Sequence, residues 1–226
     1  MESEYIQQIT GKILNKNLQQ IYREDLNRES QIYLQNNLDS PDKTVISKYL
    51  EWNLKGEKPN NTPMPDLRYG LELKVCRIKK TSEESYKLPD NRIFFTSLNP
   101  QKMIDSDISE YLSINNKSKI LLIGYSKEKN ILDSTVIYVG TLNLADYQDD
   151  LTEDYNYFKN RLINGEQISS SQKHTKIFYL GSSGTNKSDK LKYIIKDSGG
   201  CNSEKEIAKK SIYLKGDIIA KAKIYS

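Results

Sequence analysis

The sequence predicts a mixed α/β (α+β) fold in which helices flank a mixed central sheet. Three observations predict it. The first part of the chain carries apolar residues at helical spacing. After Asp66 the pattern changes to short strand-like runs separated by turn residues. One of these runs, KILLIGY at residues 119–125, is nearly all apolar, which marks a central strand buried on both faces. Helices around such a sheet form the layers of an α/β or α+β domain.

Taken in order, Ile6, Ile9, Ile13, Leu14, Leu18 and Ile21 predict an amphipathic helix over residues 4–22. A short helix is expected over 29–38, ended by Ser40-Pro41-Asp42. Val45, Ile46, Tyr49, Leu50 and Trp52 give the apolar side of a helix over 43–55, and the Pro/Asn-rich GEKPNNTPMP is a loop. Strands are expected at 67–79, with a turn near Tyr69 and Gly70, and at 92–97, 119–125 and 134–141. Tyr155, Phe158, Leu162 and Ile163 mark a helix over 145–164. Late strands fall at 175–180, 191–195 and 212–214, and a short helix or strand closes the chain. There is no internal repeat.

At 226 residues the chain is long enough for one domain, 1–226, with its own core and no need of a disulfide or structural metal. Lys and Arg number 34 against 30 Asp and Glu, a net charge of +4 that permits a nucleic-acid partner without arguing for one. Sixteen tyrosines against four phenylalanines suit a surface that meets a polar partner; an AT-rich coding sequence is the plainer explanation. Cys76 and Cys201 match neither a zinc spacing nor CxxC, and a reducing, cytoplasmic setting fits them. The polar start and the lack of a long apolar run argue against a leader or a membrane span. A single histidine, His174, in a polar stretch, excludes HExxH zinc sites and double-histidine phosphodiesterases.

The chemistry lies in Pro65-Asp66 and Glu72-Leu73-Lys74. Hydrolysis of a phosphodiester needs an activated water and relief of charge on the phosphate. Carboxylate-bound metal can supply both, and a nearby lysine can orient or deprotonate the water. On a strand, residues two apart share a face, so Glu72 and Lys74 project together while Leu73 points into the core. The Leu73 carbonyl is then a further candidate metal ligand, and Asp66 returns toward the same point across the Tyr69–Gly70 bend. Of the 30 acids only Glu72 has a lysine two residues on. An exposed strand with an ordinary Glu–Lys pair is the alternative.

The segment PDLRYGLELKV resembles the motif of the MutH and related GATC restriction endonucleases, a branch of the PD-(D/E)xK superfamily. The resemblance extends along the chain. ITGKILNKNLQQIY is similar to the family's first helix, and KYLEWNLKGEKPNNTPMPD to the helix and loop before the first catalytic Asp. LTEDYNYFKNRLINGEQISS, KIFYLGSSGTNKSDKL and AKKSIYLKGDII resemble later segments, in the family's order.

The resemblance implies a restriction-endonuclease-like fold with a catalytic lobe over about 1–140 and a DNA-reading lobe over about 141–226 around a DNA cleft. It implies Mg²⁺ held by Asp66, Glu72, the Leu73 carbonyl and Glu51, with Lys74 acting on the water. A second active-site lysine falls best on Lys117, with Lys119 as the alternative. DNA contacts fall on Ser182, Ser183, Thr185 and Lys187 of the 182–187 loop and on Tyr213 and Lys215. The implied activity is sequence-specific cleavage of double-stranded DNA as a Type II restriction enzyme, with GATC as the family's site and pairing of two copies on DNA left open. A mismatch-repair nickase of the MutH type and a non-catalytic DNA-binding domain are the rival readings. Two departures stand out: the Asp66–Glu72 spacing is one residue short, and the 182–187 loop lacks a basic residue close behind Tyr-Leu.

Overall fold

The computed structural model describes the whole chain except residues 41–43, 60–65, 83–84, 90–91, 115–117, 169–172, 183–188, 197–198 and 226. Four helices come first: α1 (Glu2–Ile13), α2 (Leu18–Glu24), α3 (Arg28–Asn36) and α4 (Val45–Lys55). They are followed by β1 (Leu71–Arg77), β2 (Lys79–Ser82), β3 (Ser85–Lys87), β4 (Arg92–Ser97), α5 (Pro100–Asp105) and α6 (Ile108–Ile114). Then come β5 (Lys119–Ser126), β6 (Thr135–Asn143), α7 (Gln148–Ile163) and β7 (Phe178–Ser182). The chain ends with β8 (Lys190–Lys196), β9 (Asn202–Ala208), β10 (Lys210–Lys215) and β11 (Lys223–Ile224).

The helical pattern over 4–22 divides into two helices for a local reason. Asn15 is left-handed, at φ 60°, which Asn tolerates better than most residues. Asn17 then caps α2 in a reciprocal box: its side chain accepts from Gln20 N at 2.9 Å, and the Gln20 side chain accepts from Asn17 N at 2.9 Å.

The chain packs as two units. The first contains Met1–Asp90, Asn115–Asn143 and Ile219–Ser226; the second contains Asn91–Ile114 and Leu144–Ile218. The first unit holds a mixed sheet of order β1-β5-β6-β11, with β1 and β5 parallel and the other pairs antiparallel. Ile120 to Tyr125 on β5, the strand between β1 and β6, are all buried. Ile6, Ile9, Ile13, Leu18, Ile21, Ile46 and Leu50 of the helices form one core with Leu71, Leu73, Leu121, Ile123 and Val139 of the sheet. The helices therefore cover one face of the sheet.

The second unit holds an antiparallel sheet of order β4-β10-β7. Its inward residues Phe95, Phe178, Ile212 and Leu214 line one apolar cavity with Ile108, Tyr111, Leu151 and Tyr155 of α6 and α7. The β8–β9 hairpin joins through Tyr193, whose hydroxyl donates to the Leu162 carbonyl at 3.2 Å. The chain as a whole is thus the mixed α+β class the sequence predicts, with a mixed sheet flanked by helices. Among the described residues no helix is long and apolar enough to cross a membrane.

Candidate active site

β1 is an edge strand, and its alternation sorts its side chains. Leu71 and Leu73 enter the core beneath the helices and Val75 packs against it, so Glu72 and Lys74 project from the other face. The two meet there: Lys74 Nζ donates to Glu72 Oε1 at 2.7 Å, with side-chain exposures of 13% and 5%. The parallel register sets Glu72 beside Ile120 and Lys74 beside Leu122, so the pair stands next to the most buried strand of the sheet, β5.

Asp66 reaches the same place through a tight reversal. Leu67 and Leu71 bridge, with Leu67 N donating to the Leu71 carbonyl at 3.0 Å, and Arg68–Gly70 form a single 3₁₀ turn between them. Tyr69 and Gly70 are both left-handed, at φ 62° and 72°. Glycine adopts that conformation freely, while a residue such as tyrosine gives up about 1–2 kcal/mol. Two such residues in succession turn the chain within three positions. Asp66 Oδ2 then accepts from the Leu73 backbone N–H at 3.0 Å. That N–H lies on the open edge of β1, where the sheet offers it no partner.

α4 supplies the third carboxyl. Burial pushes the Glu51 carboxyl up to about 7; the negative charge of Asp66, a hydrogen bond with Asp66 and the charge of Glu72 push the same way, while Lys55 opposes them. Glu51, Asp66, Glu72 and Lys74 are therefore brought together, with the Leu73 backbone between them. Among the described residues no three His, Cys, Asp or Glu side chains stand close enough to enclose a metal ion by themselves.

The other sequence-derived positions are placed as follows. Lys119 is half-exposed, with Nζ on Glu2 Oε2 at 2.7 Å. Lys117, Ser183, Thr185 and Lys187 lie outside the described residues. Ser182 is exposed at the end of β7. Tyr213 stacks on Tyr179 at 5.7 Å between ring centroids, and its hydroxyl donates to the Ser182 carbonyl at 3.3 Å. Lys215 Nζ donates to the Thr175 carbonyl, and its charge acts on the carboxylate of Asp154. His174 is exposed beside the ring of Tyr157.

Several residues were missed by sequence reasoning. Phe94 packs edge-on to Tyr213 while remaining 49% exposed, and the guanidinium of Arg92 lies 4.8 Å from the centre of the Tyr213 ring. The alternation in RIFFTS, with Ile93 and Phe95 inward, was the available signal. Tyr5 was read only as a position on the first helix, yet its ring packs on Tyr69 at 5.6 Å. A contact between helix and turn of this kind has no signature in a linear pattern.

No family model matches the chain, and no curated protein matches it. Among solved structures the chain is similar to a "Restriction endonuclease MvaI-cognate DNA substrate complex", at 14% identity and a TM-score of 0.34, covering 89% of this chain and 98% of that one.

Proposed function

We propose that the protein is a Mg²⁺-dependent endonuclease that cuts double-stranded DNA at a specific sequence, acting as a Type II restriction enzyme, with GATC as the site implied by the sequence resemblance. The observation that carries this reading is the buried Lys74–Glu72 pair at 2.7 Å, set among two further carboxyls. Three acids and one lysine leave surplus negative charge; burial raises the Glu51 carboxyl, and the charges of Asp66 and Glu72 add to that rise. A divalent cation would neutralise the surplus.

The donors fit Mg²⁺, which prefers oxygen and commonly binds through one or two carboxylates while keeping several waters. Asp66, Glu72 and the Leu73 carbonyl would hold it, with Glu51 adjoining. When bound, the ion supplies charge relief on the phosphate and a more acidic water. The residues of the chain do the rest. Glu72 fixes the direction of the Lys74 side chain. Lys74 orients the attacking water on the side of the phosphorus away from the leaving oxygen, and balances charge on the phosphate as that bond breaks. Asp66, bonded to the Leu73 N–H, is held in place by the strand rather than by a loop.

The test is plasmid cleavage. The parent is expected to cut supercoiled DNA in Mg²⁺ and to stop in EDTA, and Lys74→Ala to lose on the order of 10²–10⁴-fold in rate. A Lys74→Ala protein that cuts as fast as the parent would falsify the assignment. Mapping the cut ends on a sequenced plasmid gives the recognition site and separates a double-strand cut from a nick.

A further inference from the structure

The turn that joins Asp66 to Glu72 exposes two side chains at the edge of the acid cluster. Leu67 and Leu71 bridge beneath it, so its tip consists of Arg68, Tyr69 and Gly70 alone. Arg68 is exposed, and Tyr69 is 46% exposed although its backbone is left-handed, at φ 62°. A bulky residue persists in that conformation only where its surroundings hold it there. Helix α1 holds it twice: the Tyr5 ring packs on the Tyr69 ring at 5.6 Å, and the Tyr5 hydroxyl bonds to the backbone of Arg68. The tip is thus a braced element, with a guanidinium and an aromatic ring facing solvent.

The acids beside it would repel a polyanion. A phosphate strand brought to Glu72 and Lys74 needs a cation at the entrance, and Arg68 supplies one from the turn between Asp66 and β1. Guanidinium matches phosphate in a two-point contact. A tyrosine ring beside it offers an apolar face to a sugar and a hydroxyl to the backbone.

We propose that Arg68 and Tyr69 are substrate-binding residues: Arg68 holds a DNA backbone phosphate next to the one being cut, and Tyr69 packs on the adjoining deoxyribose. This rests on the nuclease reading. It assigns a use to the exposed tip of the turn between Asp66 and Glu72.

The experiment is steady-state cleavage of plasmid DNA in Mg²⁺ across a salt series, with the full chain, Lys74→Ala, Arg68→Gln and Tyr69→Asn. Asn tolerates the left-handed backbone, so the turn is kept and melting temperature reports on it. Arg68→Gln is expected to raise KM at least fivefold, more than it lowers kcat, and to reduce the slope of log KM against log salt by about one, for one lost phosphate contact. Tyr69→Asn is expected to raise KM with the slope intact. If both variants keep the parent's KM and slope, or lose kcat and melting temperature with KM and slope unmoved, the substrate-binding role is overturned while the nuclease reading stands. If the parent itself makes no cut, the nuclease reading falls and this role falls with it.

Discussion

Glu72 in the first unit and Asp154 in the second are both nearly sealed from solvent, at 4% and 1% exposure. Their surroundings are opposite. Asp154, on α7, accepts from the backbone N–H groups of Lys176, Ile177 and Phe178 at 2.7, 2.6 and 2.9 Å. Burial pushes its carboxyl up, and those three donors pull it back. Glu72 meets the Lys74 ammonium at 2.7 Å and adds its charge to those of Asp66 and Glu51. A buried carboxylate clasped by backbone donors ties a helix to a strand. A buried carboxylate crowded by other acids works against the fold, and its retention calls for another reason.

Substitution should separate the two. Glu72→Gln is expected to lose cleavage by on the order of 10²–10⁴-fold. It should move the urea midpoint less than Asp154→Ala does, because the lost pair with Lys74 is offset by one like charge leaving the cluster. Asp154→Ala should do the reverse. It orphans two buried donors and one part-buried donor, which costs about 3 kcal/mol or more and lowers Tm by roughly 6 °C or more for a chain of this size. The protein that remains folded should still cut DNA. If Glu72→Gln melts the protein while Asp154→Ala does not, the contrast is reversed and Glu72 is a structural residue.

Glu51 gives the comparison a pH axis. Its carboxyl stands at about 7 in the folded protein against an ordinary 4.5. Between those values the folded state holds more protons than the unfolded chain, so stability falls as pH rises. The contribution is complete below 4.5 and gone above about 7. Urea melts in EDTA across that range should show the decline in the parent and a flatter profile in Glu51→Gln. Equal slopes would remove Glu51 from the acid cluster.

The same contrast explains what was legible in the sequence. Glu72 and Lys74 were found because strand alternation and the i, i+2 spacing place chemistry in a linear pattern. KILLIGY was found because a run that is apolar on both faces has few other places to go. Asp154 was not singled out, since its partners lie more than twenty residues on and no linear spacing links a helix acid to them. The break after Ile13 was hidden by an apolar period that continues through it; only the small polar side chains of Asn15 and Asn17 mark the interruption. The bend near Tyr69 and Gly70 was visible, but its brace by Tyr5 was not, because Tyr5 sits on a different element.

The smallest expected effect concerns Lys119. Its pair with Glu2 has the same 2.7 Å length as the Lys74–Glu72 pair, yet the side chains are 43% and 39% exposed rather than 13% and 5%. At that exposure water screens the attraction and two long side chains must be ordered to make it, so the pair is worth about 0.5 kcal/mol or less. Lys119→Ala should therefore shift the urea midpoint hardly at all. The sequence favours Lys117 over Lys119 as the second active-site lysine, and Lys119 has a surface partner in Glu2. Cleavage by Lys119→Ala should stay within about twofold of the parent, a change of under about 0.5 kcal/mol in the barrier. A loss beyond tenfold, with stability intact, would move Lys119 from a surface pair into the site and extend the contrast between the two lysines to the strand next to β1.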